Sequence, residues 1–181
     1  MKTAALILAL CATANGAPAA KVAEVTITNP GFEAPGADKN QIPGWALSQH
    51  VGAVSYEYKV DTRVHAQGKA SFRMTRLLDQ AYGLISQKVP IAPAAIDRTI
   101  ELSAQMRTIG VDKDGWMLML TVMAPSGNEQ VRSEPLRGKH EFTRVKVSAK
   151  LPAGTREVDI GALLLGGGSA WLDDVRLRIT E

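Results

Sequence analysis

Two carboxylates in this sequence lie where an unpaired charge is costly. Glu33 follows Phe32 in the turn-rich stretch NPGFEAPGADKNQIPGW at 29–45. Asp173 lies in WLDDVRLRI at 171–179, and side chains alternate between the two faces of a strand. This alternation groups Asp173 with four apolar residues, Trp171, Val175, Leu177 and Ile179. Because an isolated buried charge is very unfavourable, we expect each carboxylate to have a partner.

Three kinds of partner would satisfy these carboxylates. Hard oxygen donors in a turn-rich backbone suit Ca²⁺, which takes about 6–8 oxygen ligands and readily accepts backbone carbonyls. We therefore expect Glu33 and Asp173 to share one structural Ca²⁺, with carbonyls of nearby loops completing the coordination. In one alternative, each carboxylate pairs with a basic side chain such as Lys69. In another, Asp173 accepts hydrogen bonds from the backbone N–H groups of a turn.

Short alternating segments separated by turn residues predict an all-β fold. Gly, Pro, Asn and Asp lie between most of these segments, as in NPG, DKDG, PSGN and GGG. Strands at this spacing are typical of a β-sandwich or barrel, and no segment beyond 1–20 holds a long helical period. The predicted strands are 23–28, 53–61, 70–76, 83–90, 98–108, 115–123, 141–150, 156–165 and 169–179.

Two of the predicted strands differ in the polarity of their faces. Segment 98–108 alternates between an apolar face and a polar face, and the polar face includes Glu101, Gln105 and Arg107. Segment 115–123 is apolar on both faces, which predicts a central strand covered on each side. Its methionines would also suit a soft ligand-binding surface.

Residues 1–20 have the composition of a secretory signal peptide. Lys2 precedes the apolar run AALILALC, and small residues follow it. The run is shorter than the roughly 20 apolar residues of a membrane span. We therefore expect export to the periplasm or the cell exterior, with residues 21–181 as one domain. Removal of Cys11, the one cysteine, would leave no thiol for a disulfide or a thiolate metal site.

A series of motifs in this order resembles the carbohydrate-binding modules of the family 4/9/22 type. The motifs are NPGFE, PGW, GKASFRMTR, YGLISQKVP, IELSAQMR and WLDDVRL, and they are spread along the chain from residue 29 to residue 177. The resemblance implies a galactose-binding-domain-like jelly roll, which is a two-sheet antiparallel β-sandwich. It also implies a structural Ca²⁺, because members of that family often hold one with the residues that match Glu33 and Asp173.

The resemblance further implies glycan binding on the concave sheet face. In the related modules an aromatic residue often precedes the Gly that enters the corresponding strand, and this position is Tyr82, with Arg76 upstream. Tyr82 would stack on a sugar ring, and Glu101, Gln105 and Arg107 would bind its hydroxyls. Trp116 would stack as well if it faced the same groove, and would otherwise belong to the core. Aromatic residues make up only 5% of the chain, which is sparse for a polysaccharide cleft.

No motif in the sequence indicates an enzyme. Neither G-x-S-x-G nor H-E-x-x-H occurs, and nothing in the spacing pairs Glu57 with Glu101 as glycosidases require. The basic residues are scattered and the formal net charge is +3, so nucleic acid is not an expected partner. We expect a non-catalytic protein that binds a polysaccharide or cell-wall glycan, with a glycan-active enzyme or envelope protein as a further partner. The alternatives are an envelope interaction domain without a sugar site and a small glycosyl hydrolase.

Overall fold

The computed structural model describes residues 22–38 and 41–181, without the side chain of Lys113. The predicted signal peptide at 1–20 lies outside the described residues. Within the described ranges the chain forms ten β-strands and one short 3₁₀ helix at Pro93–Ala95. The strands are β1 (Ala23–Val25), β2 (Ala46–Gln49), β3 (Tyr56–Asp61), β4 (Ser71–Arg76), β5 (Gly83–Pro90), β6 (Thr99–Ala124), β7 (Gly127–Arg132), β8 (Leu136–Lys150), β9 (Glu157–Leu164) and β10 (Ser169–Thr180). The fold is therefore all-β, as the alternation and turn residues predict.

The strands form two antiparallel layers that share β6. The first sheet has the order β3–β4–β10–β6–β8, with β1 beside the C-terminal part of β10. The second sheet has the order β2–β5–β9–β6–β7. Residues 99–109 of β6 pair within the first sheet, and residues 116–124 pair within the second. This arrangement is the two-sheet sandwich that the sequence predicts.

The sequence predicts two strands where the structure has the single long strand β6. The predicted break at DKDG lies where β6 changes partners, between Ile109 and Trp116. Gly110 and Gly115 have positive φ there (64° and 84°), a conformation that glycine adopts without steric cost. The turn residues therefore mark the transfer of the strand from one sheet to the other rather than its end.

The core lies between the two sheets and fixes which face of each strand points inward. From the first sheet it receives residues such as Leu102 and Phe72, and from the second Leu118 and Ile160, all fully buried. Phe32 packs on Trp45 and Phe72, with ring centroids 5.3 and 5.7 Å apart, and so anchors the turn-rich 29–45 stretch. The opposite faces of both sheets point outward, and they are called here the outer face of the first sheet and the outer face of the second sheet.

The prediction that Asp173 lies on the inward face of its strand is wrong, because β10 contains a β-bulge. Asp173 pairs with Gln105, whereas Arg176 pairs with Ser103, so β10 has one extra residue at this point. Asp174 takes up the irregularity with a φ of 45°. Leu172 and Leu177 are both fully buried in the core although they are five positions apart, an odd offset that would place them on opposite faces of a regular strand. Trp171 and Asp173 instead lie on the outer side of the first sheet, where the loop between β3 and β4 covers Asp173.

Several predicted boundaries also change. Strands β2 and β7 were not expected, because ALSQ is too short and GNEQVR too polar to show a strand pattern. Strand β1 ends at Val25 rather than residue 28, and β3 begins at Tyr56 rather than residue 53. Among the described residues, no helix is long and apolar enough to cross a membrane.

Candidate functional site

The outer face of the second sheet has an apolar floor. Residues paired across neighbouring strands share a face, and the register aligns Leu84, Leu163 and Met117 in one row. The next row contains Gly161, Met119 and Arg132. Met117, Met119 and Leu163 are only 8%, 5% and 6% exposed although they point away from the core. These three residues are called here the methionine floor, and they give this face a shielded apolar centre.

Polar groups surround the methionine floor. The following row of the sheet contains Lys88, Asp159, Thr121 and Gln130. Gln130 Nε2 donates to Thr121 Oγ1 at 3.1 Å, and Arg132 Nε donates to Gln130 Oε1 at 2.8 Å. Lys88 Nζ pairs with Glu157 Oε1 at 3.3 Å. The face therefore combines an apolar centre with hydrogen-bonding groups, which is the composition of a small-molecule binding surface.

Asp159 is the least satisfied carboxylate on this face. Burial raises the pKa of Asp159, and the hydroxyl of Ser86 and the charge of Lys88 only partly oppose that effect. Its Oδ1 atom is buried and has no hydrogen-bond partner among the described residues. Asp159 is not among the site residues predicted from the sequence. Its signal is the pattern VDIGALL, in which one charged residue interrupts an otherwise apolar strand.

Tyr82 lies at one end of this outer face, immediately before β5. Its backbone carbonyl accepts a hydrogen bond from His50 N at 3.2 Å, and its ring lies 5.8 Å from the His50 ring. The side chain is partly exposed. Arg76 lies at the same end but is held by its own loop, because Nε donates to Leu78 O at 3.0 Å and the guanidinium pairs with Asp79. The side chain of Tyr82, the predicted stacking residue, is therefore partly exposed, whereas the guanidinium of Arg76 is already bonded within its own loop.

The predicted residues of the 98–108 segment lie on the outer face of the other sheet. Glu101 pairs with Lys146 at 3.1 Å, and Gln105 lies opposite Asp173 and Arg144 in the register. Arg107 pairs with Glu141, and its guanidinium lies 5.7 Å from the Trp171 ring centroid. The expectation that these residues share one groove with Tyr82 is therefore wrong. The reason is that β6 contributes residues 99–109 to the first sheet, whereas Tyr82 leads into β5 of the second.

Trp116 belongs to the core and is therefore not a ligand-stacking residue. It is fully buried, and its indole N–H donates to Trp171 O at 3.1 Å. A ring with no exposed surface and a satisfied N–H group offers no face to a ligand. The structure therefore supports the alternative that Trp116 is a core residue.

Glu57 has the wrong electrostatic surroundings for a general acid. Hydrogen bonds from Lys59 and from Arg73 lower the pKa of Glu57. Its Oε2 atom lies 2.9 Å from the nitrogen of each cation. A catalytic acid of a glycosidase needs a raised pKa, so Glu57 is not suited to that role.

Glu33 and Asp173 hold one loop, the segment that connects β3 and β4. Glu33 Oε1 accepts hydrogen bonds from the backbone N–H groups of Lys69 and Ala70 at 2.8 and 3.2 Å. Asp173 Oδ2 accepts the N–H groups of Ala66 and Gln67 at 2.7 and 3.0 Å. Asp173 Oδ1 accepts the N–H of Asp174 at 2.6 Å. Glu33, Asp173 and the loop at 66–70 are called here the carboxylate clamp.

The carboxylate clamp has no basic side chain as a partner among the described residues. Lys69 contributes its backbone N–H rather than its ammonium group, so the Lys69 ion pair given as an alternative does not form. Asp173 is 1% exposed, and burial raises the pKa of its carboxyl against the effect of its N–H donors. A Cβ at Gly31 would lie 3.9 Å from Asp173 Oδ1 and 4.0 Å from Glu33 Oε1. An oxygen of each carboxylate therefore lies near Gly31 without a basic side chain of the described residues as its partner.

These two carboxylates do not by themselves complete a metal site. Within residues 22–38 and 41–181, no group of three or more His, Cys, Asp and Glu side chains is placed to hold a metal ion. Ca²⁺ would need backbone carbonyls for most of its oxygen ligands. The clamp fits such an ion in its charge and in the hardness of its donors.

Comparison with known proteins identifies the fold. No family model matches the chain, and no curated protein matches it. Among solved structures, TmCBM61 in complex with β-1,4-galactotriose matches with a TM-score of 0.57 and 18% identity, over 86% of this chain and 98% of that chain. A cyclase from Fischerella sp. TAU, in complex with 4-(1H-indol-3-yl)butan-2-one, matches with a TM-score of 0.60 and 15% identity, over 86% and 96% of the two chains.

A third match is the enzymatically active domain of bacteriophage CBA120 tailspike protein 4. Its TM-score is 0.67 at 14% identity, over 86% of this chain but only 21% of the tailspike chain. Carbohydrate-binding modules of families 22 and 16 also match. At these identities the matches establish the fold. The chain has the jelly-roll β-sandwich of the galactose-binding-like carbohydrate-binding modules, as the order of its motifs predicts.

Proposed function

We propose that this protein is an exported, non-catalytic carbohydrate-binding protein that binds a glycan on the outer face of its second sheet. The observation that carries the proposal is the methionine floor, which is shielded, points away from the core and is surrounded by polar groups. A sugar ring has the same dual character, because its C–H groups pack on apolar side chains while its hydroxyls need hydrogen-bonding partners. The fold supports the proposal, since several solved proteins that share it are carbohydrate-binding modules.

Two further parts of the proposal rest on different residues. Export rests on the order of charged, apolar and small residues at 1–20. A structural Ca²⁺ rests on the carboxylate clamp, where Glu33 and Asp173 would provide carboxylate oxygens and the adjoining loops would provide carbonyls. When bound, the ion would neutralise the two carboxylates and fix the 66–70 loop to β10.

The ligand-binding face is tested by blocking each outer face in turn. Thr121→Arg places a long cation beside the methionine floor, whereas Ser148→Arg makes the same change on the first sheet, opposite Glu101. The wild-type chain and both variants would be passed over xylan, β-1,4-galactan, cellulose, chitin and peptidoglycan. We expect at least one polymer to retain the wild type and Ser148→Arg, with retention of Thr121→Arg reduced at least tenfold.

Two results would contradict this assignment. Loss of retention in Ser148→Arg alone would place the glycan on the face of Glu101, Gln105 and Arg107. No retention of folded wild-type protein on any polymer would reject carbohydrate binding. Circular dichroism of each variant would show that the sandwich is intact. Tyr82→Ala would also be measured, since loss of its ring should weaken retention if it stacks on the sugar.

A second candidate function is supported by one end of the sandwich. Val51, Val54, Leu77 and Leu78 are 55–81% exposed, and their loops are joined by hydrogen bonds from Leu77 N and Leu78 N to Ser55 O. Contiguous exposed aliphatic side chains are uncommon on soluble monomers and often mark a protein contact. An envelope interaction domain with this fold would keep its partner when Tyr82 is changed to Ala and would bind no polymer.

A further inference from the structure

Two carboxylates of this chain, the buried Asp173 and the half-buried Asp159, differ in how well their hydrogen-bonding capacity is satisfied. Asp173 receives three backbone N–H donors at 2.6–3.0 Å. At Asp159 the Ser86 hydroxyl partly opposes the effect of burial on the pKa, but the Oδ1 atom is buried and has no hydrogen-bond partner among the described residues. An ionised carboxylate has roughly four lone-pair positions, so Asp159 retains most of its accepting capacity. A polar atom left in this condition in a native fold calls for a physical explanation.

The surroundings of Asp159 do not supply the missing donors. On β5, Lys88 lies opposite it in the register but pairs with Glu157, the nearest charge on β9. The facing part of β6 contributes Thr121, whose hydroxyl oxygen accepts a bond from Gln130 of β7. The charged groups of β7 are Glu129 and Arg132, and Arg132 is bonded to Gln130. The carboxyl therefore lies at the centre of the outer face, next to the methionine floor, with an unmet need for hydrogen-bond donors.

We infer that Asp159 is the residue that recognises the bound sugar, by accepting a hydrogen bond from a hydroxyl of a neutral ring that lies on the methionine floor. The inference rests on the proposed function and names the ligand class for that site. The side chain is half-buried, and its terminal torsion is soft, so a small rotation turns the carboxyl toward an arriving hydroxyl. A uronic acid at this position is rejected, because its carboxylate would face the carboxylate of Asp159, while Lys88 and Arg132 on the same face are already bonded to Glu157 and Gln130.

The same arrangement predicts that binding depends on pH. Protonation of Asp159 removes an acceptor, and burial raises the pKa of this carboxyl so that protonation begins at a higher pH than for an exposed aspartate. Affinity for a neutral glycan should therefore fall as the pH falls toward 4. Asp159→Asn, which does not titrate, should bind with an affinity that does not change over this range.

As the pH falls, the contribution of Asp159 to stability should rise, whereas the affinity for a neutral glycan should fall. A carboxyl whose pKa is raised on folding contributes full stability below its unfolded pKa, and this contribution is lost as the pH rises through the folded pKa. At pH 7 the ionised, under-satisfied Asp159 thus destabilises the ligand-free protein. Asp159→Asn should raise Tm at pH 7, with a smaller difference from the wild type at pH 4. A residue with a purely structural role would lower Tm when changed.

The experiment compares wild type, Asp159→Asn and Glu24→Gln by thermal melting at pH 4 and pH 7, and by Kd for β-1,4-galactan and polygalacturonate. Glu24→Gln is the matched control, because it removes the same charge from an exposed carboxylate that pairs with Arg178 on the first sheet. We expect Asp159→Asn to melt higher at pH 7 and to bind galactan at least tenfold more weakly, while Glu24→Gln binds as the wild type does. The wild type should favour galactan over polygalacturonate.

Equal galactan affinity of wild type and Asp159→Asn would overturn the inference while leaving the proposed function in place. Preference for polygalacturonate, or a lower Tm of Asp159→Asn at pH 7, would overturn it as well. If the folded wild type binds neither these polymers nor the wider panel, the proposed function fails, and the inference fails with it. Xylan replaces galactan in the comparison if the panel shows that xylan is the retained neutral polymer.

Discussion

At the scale of residues, the carboxylate clamp explains how a turning loop is fixed to a strand distant in sequence. Glu33 and Asp173 each accept two backbone N–H groups from the 66–70 loop. Gly68 has a φ of 60°, and a Cβ there would collide with Glu33 Oε1, so the loop fits the carboxylate only with glycine. The clamp leaves two carboxylates beside Gly31 without a basic side chain among the described residues, which is the reason a divalent cation is proposed there.

The calcium proposal is tested by melting the protein with Ca²⁺ and with a chelator. A ligand present at about 100 times its Kd adds about 2.7 kcal/mol to the free energy of unfolding, which for a domain of this size raises Tm by about 5–10 °C. We expect this rise in the wild type and its loss in Glu33→Gln and Asp173→Asn. Asp112→Asn, a carboxylate bonded to Gly167 N at another loop, is the control and should keep the rise.

The calcium proposal would be rejected by equal melting temperatures with Ca²⁺ and chelator, together with no metal in the purified protein. In that case the backbone N–H groups would be the complete set of partners for both carboxylates. Elemental analysis of protein purified without chelator provides the second readout. The sequence predicts that Glu33 and Asp173 need partners, but it does not identify the loop that supplies the N–H donors, because every residue except proline has a backbone N–H group and residue types therefore do not mark it.

At the scale of elements, the bulge in β10 decides which residues enter the core. Regular alternation in WLDDVRLRI predicts one face for the whole strand, and that prediction holds only after Asp174. Before the bulge, Ala170 and Leu172 point inward and Trp171 outward. An extra residue reverses every side chain beyond it, and the sequence gives no warning other than an Asp-Asp pair.

Because of the bulge, Leu172 and Leu177 should contribute similarly to the free energy of unfolding, although regular alternation would place them on opposite faces. Leu172 and Leu177 are both fully buried, so truncation of either to alanine should lower the free energy of unfolding by about 2–5 kcal/mol in urea. Arg178→Ala, which removes an ion pair with Glu24 at 2.6 Å on the outer face, should cost less than about 1 kcal/mol. A small effect of Leu172→Ala beside a large effect of Leu177→Ala would show a regular strand and contradict the bulge.

At the scale of the whole molecule, the sequence predicts the sandwich well but does not predict which sheet each candidate site residue belongs to. Alternation and turn residues are local, so they locate most strands, including β5 and β10 to within a residue or two. Which strands share a sheet depends on the path of β6, which passes from one sheet to the other and separates Tyr82 from Glu101, Gln105 and Arg107. The apolar character of 115–123 indicates a strand that is covered on both sides. It does not indicate that a ligand would cover the side that faces away from the core.

The positions of the methionines allow the proposed glycan site on the outer face of the second sheet to be tested directly. Met117 and Met119 form the proposed floor, whereas Met74 and Met106 are fully buried in the core between the sheets. Methyl spectra of ¹³C-methionine-labelled protein would be recorded during titration with β-1,4-galactotriose and with xylohexaose. We expect one of these ligands to shift the Met117 and Met119 signals in a saturable way and to leave those of Met74 and Met106 in place. Saturable binding of either sugar that leaves Met117 and Met119 unmoved would contradict a glycan site on the outer face of the second sheet.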